Sequence, residues 1–202
     1  MSLAFETPQA DHHALSTRLV HAGLALSICT QIASGLIMQG PSETSMGDAI
    51  FQIHRYAGFA ALTFALLFWL ALTFRKHGTP YGALFPWLSA ARRSAVIADL
   101  SNHLRIALRS RLPDYDEASP LASAVHGLGL LLMTMMTVSG GVYAAQVWIG
   151  IQSPEPDGSL AMTVHSAWAN LVWVYLIAHA GMATLHHFMR SAPLSRMWRF
   201  KP

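Results

Sequence analysis

Charge is scarce in this sequence: Lys, Arg, Asp and Glu together make up 11% of its 202 residues, against about 25% in an ordinary soluble domain. With 53% hydrophobic residues and a positive mean hydropathy, the composition points away from a water-soluble fold and towards an integral membrane protein. Cysteine is nearly absent. The single Cys29 excludes an internal disulfide, a C-x-x-C-H attachment site and a cysteine-ligated cluster. Acidic residues are missing from the apolar segments, so a proton relay of paired intramembrane carboxylates lacks its parts. The first 17 residues carry Glu6, Asp11, His12 and His13 but no Lys or Arg. No small-x-small cleavage site flanks the first apolar run, which reads as a retained signal-anchor.

What is abundant is apolar length. A spanning helix needs roughly 20 mostly apolar residues, and four segments qualify, at about 18–38, 52–74, 121–146 and 163–189. The expected fold is all-α: one domain over 1–202, an integral membrane four-helix bundle. Gly40 and Pro41 are expected to end the first helix, and Pro154, Pro156 and Gly158 mark the loop before the fourth. The cations are unevenly spread. Arg75, Lys76, Arg92, Arg93, Arg105, Arg109 and Arg111 lie between helices two and three, Arg190, Arg196, Arg199 and Lys201 in the tail, and Arg18 ahead of helix one. By the positive-inside rule those faces, and with them both termini, are cytoplasmic. The basic balance thus reflects orientation in the membrane and gives no ground for nucleic-acid binding. Within 84–112, Val96, Leu100, Leu104 and Leu108 recur at four-residue spacing among charged residues, the pattern of an amphipathic helix on the cytoplasmic face. That helix meets membrane lipid or, on the rival reading, docks a cytoplasmic partner.

Histidine is the residue that needs explaining. Ionisable side chains in a bilayer are costly and face the bundle interior. From His165 to His179 is 14 residues, which returns to within about 40° of the same helix face and rises about 21 Å. One face of helix four therefore presents two imidazoles near opposite sides of the membrane. A b-type haem held by two histidines needs one from each of two facing helices. His54, at the start of helix two, is level with His165; His21, near the start of helix one, is level with His179. His186 would sit about 31 Å from His165, beyond the hydrocarbon. Small residues follow each of these four histidines by one turn (Ala25, Gly58, Ala169 and Ala183), as the approach of a flat ring requires, whereas Leu130 follows His126.

The stretch VHSAWANLVWVYLIAHAGMATLHHF, with RLVHAGLAL, IHRYAGFAAL and VHGLGLLLMTMMTVSGG, resembles the bacterial cytochrome b561 family of di-haem membrane cytochromes. Its wider group includes the b-type cytochrome subunits of nickel–iron hydrogenases. The resemblance covers most of the chain and implies two non-covalent b haems with axial ligands on helices one, two and four. Carried over by motif, the ligands fall on His21, His54, His165 and His179. The segment 75–120 is longer than in compact members of the family.

The implied function is electron transfer across the membrane between a quinone pool and a periplasmic redox partner such as a c-type cytochrome. The alternatives are a superoxide:quinone oxidoreductase of the same fold, the membrane anchor of a larger redox complex, and a histidine-based proton or metal transporter. Around the ligands, Arg18 and Arg55 are candidates for haem propionates, with topology as the plain alternative. His126 is a candidate quinone or ligand-supporting contact, against a hydrogen-bonded core histidine. His186 and His187 read as interfacial. Met133, Met135 and Met136 read as packing, and Gly127, Gly129, Gly140 and Gly141 as points of close approach. Trp148, Trp168 and Trp173 include interface anchors. Glu43, Asp48, Glu155 and Asp157 give the outer face an acidic rim.

Overall fold

A computed structural model describes residues 14–75, 78–109, 111, 116, 118–189 and 194–198. Glu6, Asp11, His12, His13, Lys76, Arg190, Arg199 and Lys201, together with the side chain of Arg196, lie outside the described residues. Apart from an isolated bridge between Ser42 and Ser45, the regular structure among the described residues is helical. Four helices are long: α1 (Leu15–Gly35), α2 (Ala49–Phe74), α5 (Pro120–Trp148) and α6 (Leu160–Phe188). Three are lesser: α3 (Tyr81–Leu84), α4 (Ala90–Ala107) and α7 (Ser195–Trp198). The starts follow capping chemistry: Asp48, Ser119 and Ser159 each accept a hydrogen bond from a first-turn N–H of α2, α5 and α6. Helix α1 stops at Gly35, ahead of Gly40 and Pro41, where the Ser34 carbonyl takes bonds from both Ile37 and Met38 N–H.

Three of the long helices, α2, α5 and α6, are long and apolar enough to cross a membrane. Helix α1, expected as the fourth, carries Thr17, Arg18, His21, Ser27, Thr30, Gln31 and Ser34, and these lower its hydropathy. Its polarity is turned inward. Thr17, Arg18, Ser27 and Ser34 are buried, while Leu19 and Leu26 are exposed. That inversion is what an apolar surround selects, since polar groups there have to find partners inside the protein.

Helix α1 packs on α2, α2 also on α5, and α5 on α6. Backbone contact of α6 with α1 and α2 is slight, and Val172 is the one buried residue of α6. Trp69 of α2 donates a 3.0 Å hydrogen bond to Thr134 of α5. Mid-bundle, Leu24, Ile28, Ala61, Ala65, Leu132, Met133 and Val172 form one apolar layer contributed by all four long helices. A second cluster of Leu72, Leu84 and Leu130 lies beneath α3. The Leu84 backbone occupies the place a Cβ would take at Gly127, so α3 seats on α5 only over a glycine.

Helix α4 is tied to the start of α5 by one carboxylate. Asp99 accepts from the Ser119 hydroxyl at 2.6 Å and from the Leu121 N–H at 3.1 Å. His103 stands 3.0 Å from its other oxygen. Burial alone would raise the Asp99 pKa, but the Ser119, Leu121 and His103 partners outweigh it and hold the group below the usual aspartate range. Val96 is half-buried along with Asp99, His103 and Ile106, while Leu100, Leu104 and Leu108 are exposed together with Ile97. The side of α4 that carries Asp99 is turned to α5, whose start Asp99 caps.

Candidate haem-binding histidine pairs

Two pairs of histidines face each other across the helices. His54 of α2 and His165 of α6 have ring centroids 6.5 Å apart. His21 of α1 and His179 of α6 have centroids 6.3 Å apart. All seven residues of the mid-bundle layer fall, along their helices, between the two pairs. The pairing also orders the helices: the start of α1 meets the end of α6, and the start of α2 meets the start of α6.

The first pair borders a cavity of about 430 Å³ enclosed by α1, α2, α5 and α6. Arg55, Gly58, Ala169, Met136 and Trp173 are in its wall. Gln31, whose side chain donates to the His54 carbonyl, joins them. Each ring is held from behind by a neighbouring helix. His54 Nδ1 lies 3.0 Å from the Ser34 hydroxyl of α1. His165 Nδ1 lies 3.1 Å from the Ser139 hydroxyl of α5 and 3.0 Å from the Met136 carbonyl. Each serine is followed by a glycine against the same ring. A Cβ at Gly35 would stand 3.5 Å from His54 Cε1, and one at Gly140 would stand 3.3 Å from His165 Cε1.

Around the second pair, Tyr175 stacks on His179 with ring centroids 5.4 Å apart and planes 10° apart. His126 of α5 meets His179 edge-on at 5.3 Å. Trp198 of α7 stands edge-on to His21 at 6.1 Å, and Arg18 is buried. His187 accepts a 3.4 Å hydrogen bond from the Leu194 N–H.

The donors come in twos. That number suits a metal whose remaining ligands come from a macrocycle, whereas a zinc ion held by protein alone takes three or four side chains. Among the described residues, no three His, Cys, Asp or Glu are placed to hold one metal ion between them. Two imidazoles on opposite sides of one iron, at the nitrogen–metal distance of about 2.0–2.1 Å usual for imidazole, have centroids about 6.3 Å apart. Both pairs stand at that separation.

A model of the prokaryotic cytochrome b561 family matches residues 12–200. The chain belongs to that family. It is therefore a membrane b-type cytochrome, of a family that binds b-type haem and transfers electrons. Neither the curated proteins nor the solved structures yielded a match.

Within this cytochrome, every sequence-predicted residue of the first site (His54, His165, Arg55) is at one cavity, and those of the second (His21, His179, His126, Arg18) share one end of the helices. His186 and His187 follow His179 by about two turns. Ser34, Ser139, Gln31, Tyr175 and Trp198 escaped the sequence reading. The signal for the serines was a repeated Ser-Gly, at 34–35 and 139–140, on two helices that carry no ligand of that pair.

Proposed function

We propose that this cytochrome carries two b haems, one on His54 and His165 near the periplasmic side and one on His21 and His179 near the cytoplasmic side. Electrons pass through them between a quinone pool and a periplasmic redox protein. The observation that carries this reading is the pair of centroid separations, 6.5 and 6.3 Å, at the two ends of α6. The donors fit a low-spin b haem: two neutral imidazoles, with small residues one turn away at Gly58 and Ala169 in the cavity wall. When bound, the haems supply the one-electron steps.

The chain's own residues do the rest. Arg55, in the cavity wall, offers a guanidinium to a propionate. The apolar layer between the two levels excludes water, so electrons and not protons cross the middle of the molecule. Helix α1 makes a fourth span because its polar residues are turned inward. The arginines of α4 and its exit put that end, with both termini, on the cytoplasmic side. At that end, buried Arg18 and His126 beside His179 supply hydrogen-bonding groups for a quinone head, and His186 and His187 supply proton carriers.

On the outer side, Glu43 and Asp157 are exposed and Glu155 half-exposed, while the Asp48 carboxylate is engaged by the Phe51 N–H. That acidic rim suits a basic protein partner such as a c-type cytochrome and repels superoxide.

Haem analysis and the reduced spectrum test the reading. Purified protein is expected to hold two haems per chain, with a split or broadened reduced band. His54→Ala or His165→Ala should remove one haem, and His21→Ala or His179→Ala the other. Folded, colourless protein would overturn it.

A further inference from the structure

The two outer histidines are supported in the same way from opposite sides, each with a serine hydroxyl beside Nδ1 and a backbone carbonyl within reach of that hydroxyl. Ser34 has one hydroxyl hydrogen, and the Thr30 carbonyl at 2.6 Å, with the Gln31 carbonyl at 3.1 Å, offers it the shortest acceptor. With the hydrogen on that carbonyl, the lone pair that Ser34 turns to His54 accepts from Nδ1–H. At His165 the Met136 carbonyl, which only accepts, lies 3.0 Å from Nδ1, so this nitrogen is protonated too. Ser139 gives its hydrogen to the same Met136 carbonyl at 3.0 Å and accepts from His165 Nδ1 at 3.1 Å. In each ring the opposite nitrogen, Nε2, keeps its lone pair.

We propose that Ser34 and Ser139 are positioning residues of the outer haem: each holds the imidazole behind it in the Nδ1–H tautomer and raises its electron donation to iron through Nε2. The inference rests on the ligand assignment of His54 and His165. Acceptors behind a metal-bound histidine fix its tautomer and orientation and raise its basicity. A more basic ligand favours ferric over ferrous iron and lowers the midpoint potential. The two serines are unequal. His165 retains the Met136 carbonyl when Ser139 is removed, whereas Ser34 is the acceptor that faces His54 Nδ1. Ser34 thus carries more of the effect.

The experiment is spectroelectrochemical titration of the full, haem-loaded chain in detergent, with Ser34→Ala, Ser34→Thr, Ser139→Ala and, as a control for ligation, His54→Ala. Ser34→Ala should retain both haems and raise the midpoint of the outer one alone. The ferric:ferrous ratio at fixed potential should change about fivefold, the equivalent of one hydrogen bond, or about 40 mV at 59 mV per tenfold. Ser139→Ala should shift the same haem by less, and Ser34→Thr, which keeps the hydroxyl, should return it to the wild-type value.

An unmoved outer midpoint in Ser34→Ala, or an equal shift of both haems, would overturn the proposal. If Ser34→Ala loses the outer haem, recovery of that haem in Ser34→Thr supports the hydroxyl's role, and failure to recover it counts against. Retention of the outer haem by His54→Ala would instead refute the ligand assignment, whatever the serine variants do.

Discussion

Replacing Gly140 by Ala adds one methyl behind His165, and its effect can be worked from the contacts on that ring. In a helix interior, Ala is favoured over Gly by about 0.5–1 kcal/mol. Against that gain, the new Cβ would stand 3.3 Å from His165 Cε1 and 3.4 Å from Nδ1, inside the carbon contact optimum of about 3.5–4.0 Å. The ring has little room to yield, because Nδ1 is bonded to the Met136 carbonyl at 3.0 Å and to Ser139 at 3.1 Å. Moving it a few tenths of an ångström weakens hydrogen bonds of about 1 kcal/mol each, and overpacking of this kind costs about 1–3 kcal/mol. The net expectation is a loss of about 1 kcal/mol, confined to the outer site. Gly35 provides the control: a Cβ there would be 3.5 Å from His54 Cε1, an ordinary contact, so Gly35→Ala should be neutral or mildly stabilising. Thermal melts followed at the haem absorption bands give the ranking, with Gly140→Ala releasing its outer haem first. A Gly140→Ala protein that keeps that haem and melts above wild type would refute the reasoning.

His126→Ala should retain both haems, since His21 and His179 already stand at the separation of two imidazoles on one iron; haem loss in that variant, with retention in His179→Ala, would move the ligand to α5. The Asp99 pKa is depressed in the folded protein, so the stability it lends the α4–α5 junction is present above the ordinary aspartate range and is lost as pH falls through the folded value. Hydrogen-exchange protection of residues 90–109, taken relative to the intrinsic rate at each pH, should fall at low pH in wild type, and already at neutral pH in Asp99→Ala. Electron exchange with a basic c-type cytochrome should slow as salt rises, because the acidic outer rim attracts it over a Debye length of about 8 Å at physiological strength; stopped-flow showing rapid, salt-insensitive reduction by superoxide instead would reverse the choice of partner. A quinone analogue should perturb the inner-haem spectrum, and an unchanged spectrum, with quinol oxidation abolished by substitutions around His54, would relocate the site outward.

Much of the plan was legible along the chain. Helix starts at 49, 120 and 160 agree with apolar segments assigned from 52, 121 and 163, because capping residues and apolar length are local properties. The levels of the histidines were legible for the same reason: helical rise converts residue number into depth. Helix α4 shows where that reasoning stops. Spacing identified an amphipathic helix with Leu100, Leu104 and Leu108 on one stripe, but not that Asp99 is drawn in by Ser119 and Leu121, 20 and 22 positions away in sequence.

The sequence by itself determined a membrane protein with histidines at two levels along its helices, because hydropathy and rise per residue are one-dimensional quantities, and its motifs carried the resemblance to a cytochrome family. Only the tertiary structure decided what stands behind and beside those rings: Ser34 and Ser139 at the His54–His165 pair, Tyr175 and Trp198 at the His21–His179 pair, Arg18 turned inside. Each of these depends on which faces of separate helices meet. A serine in an apolar helix can equally bond its own backbone, as Ser34 and Ser139 also do, so its residue type alone does not reveal that a histidine from the next helix completes the bond.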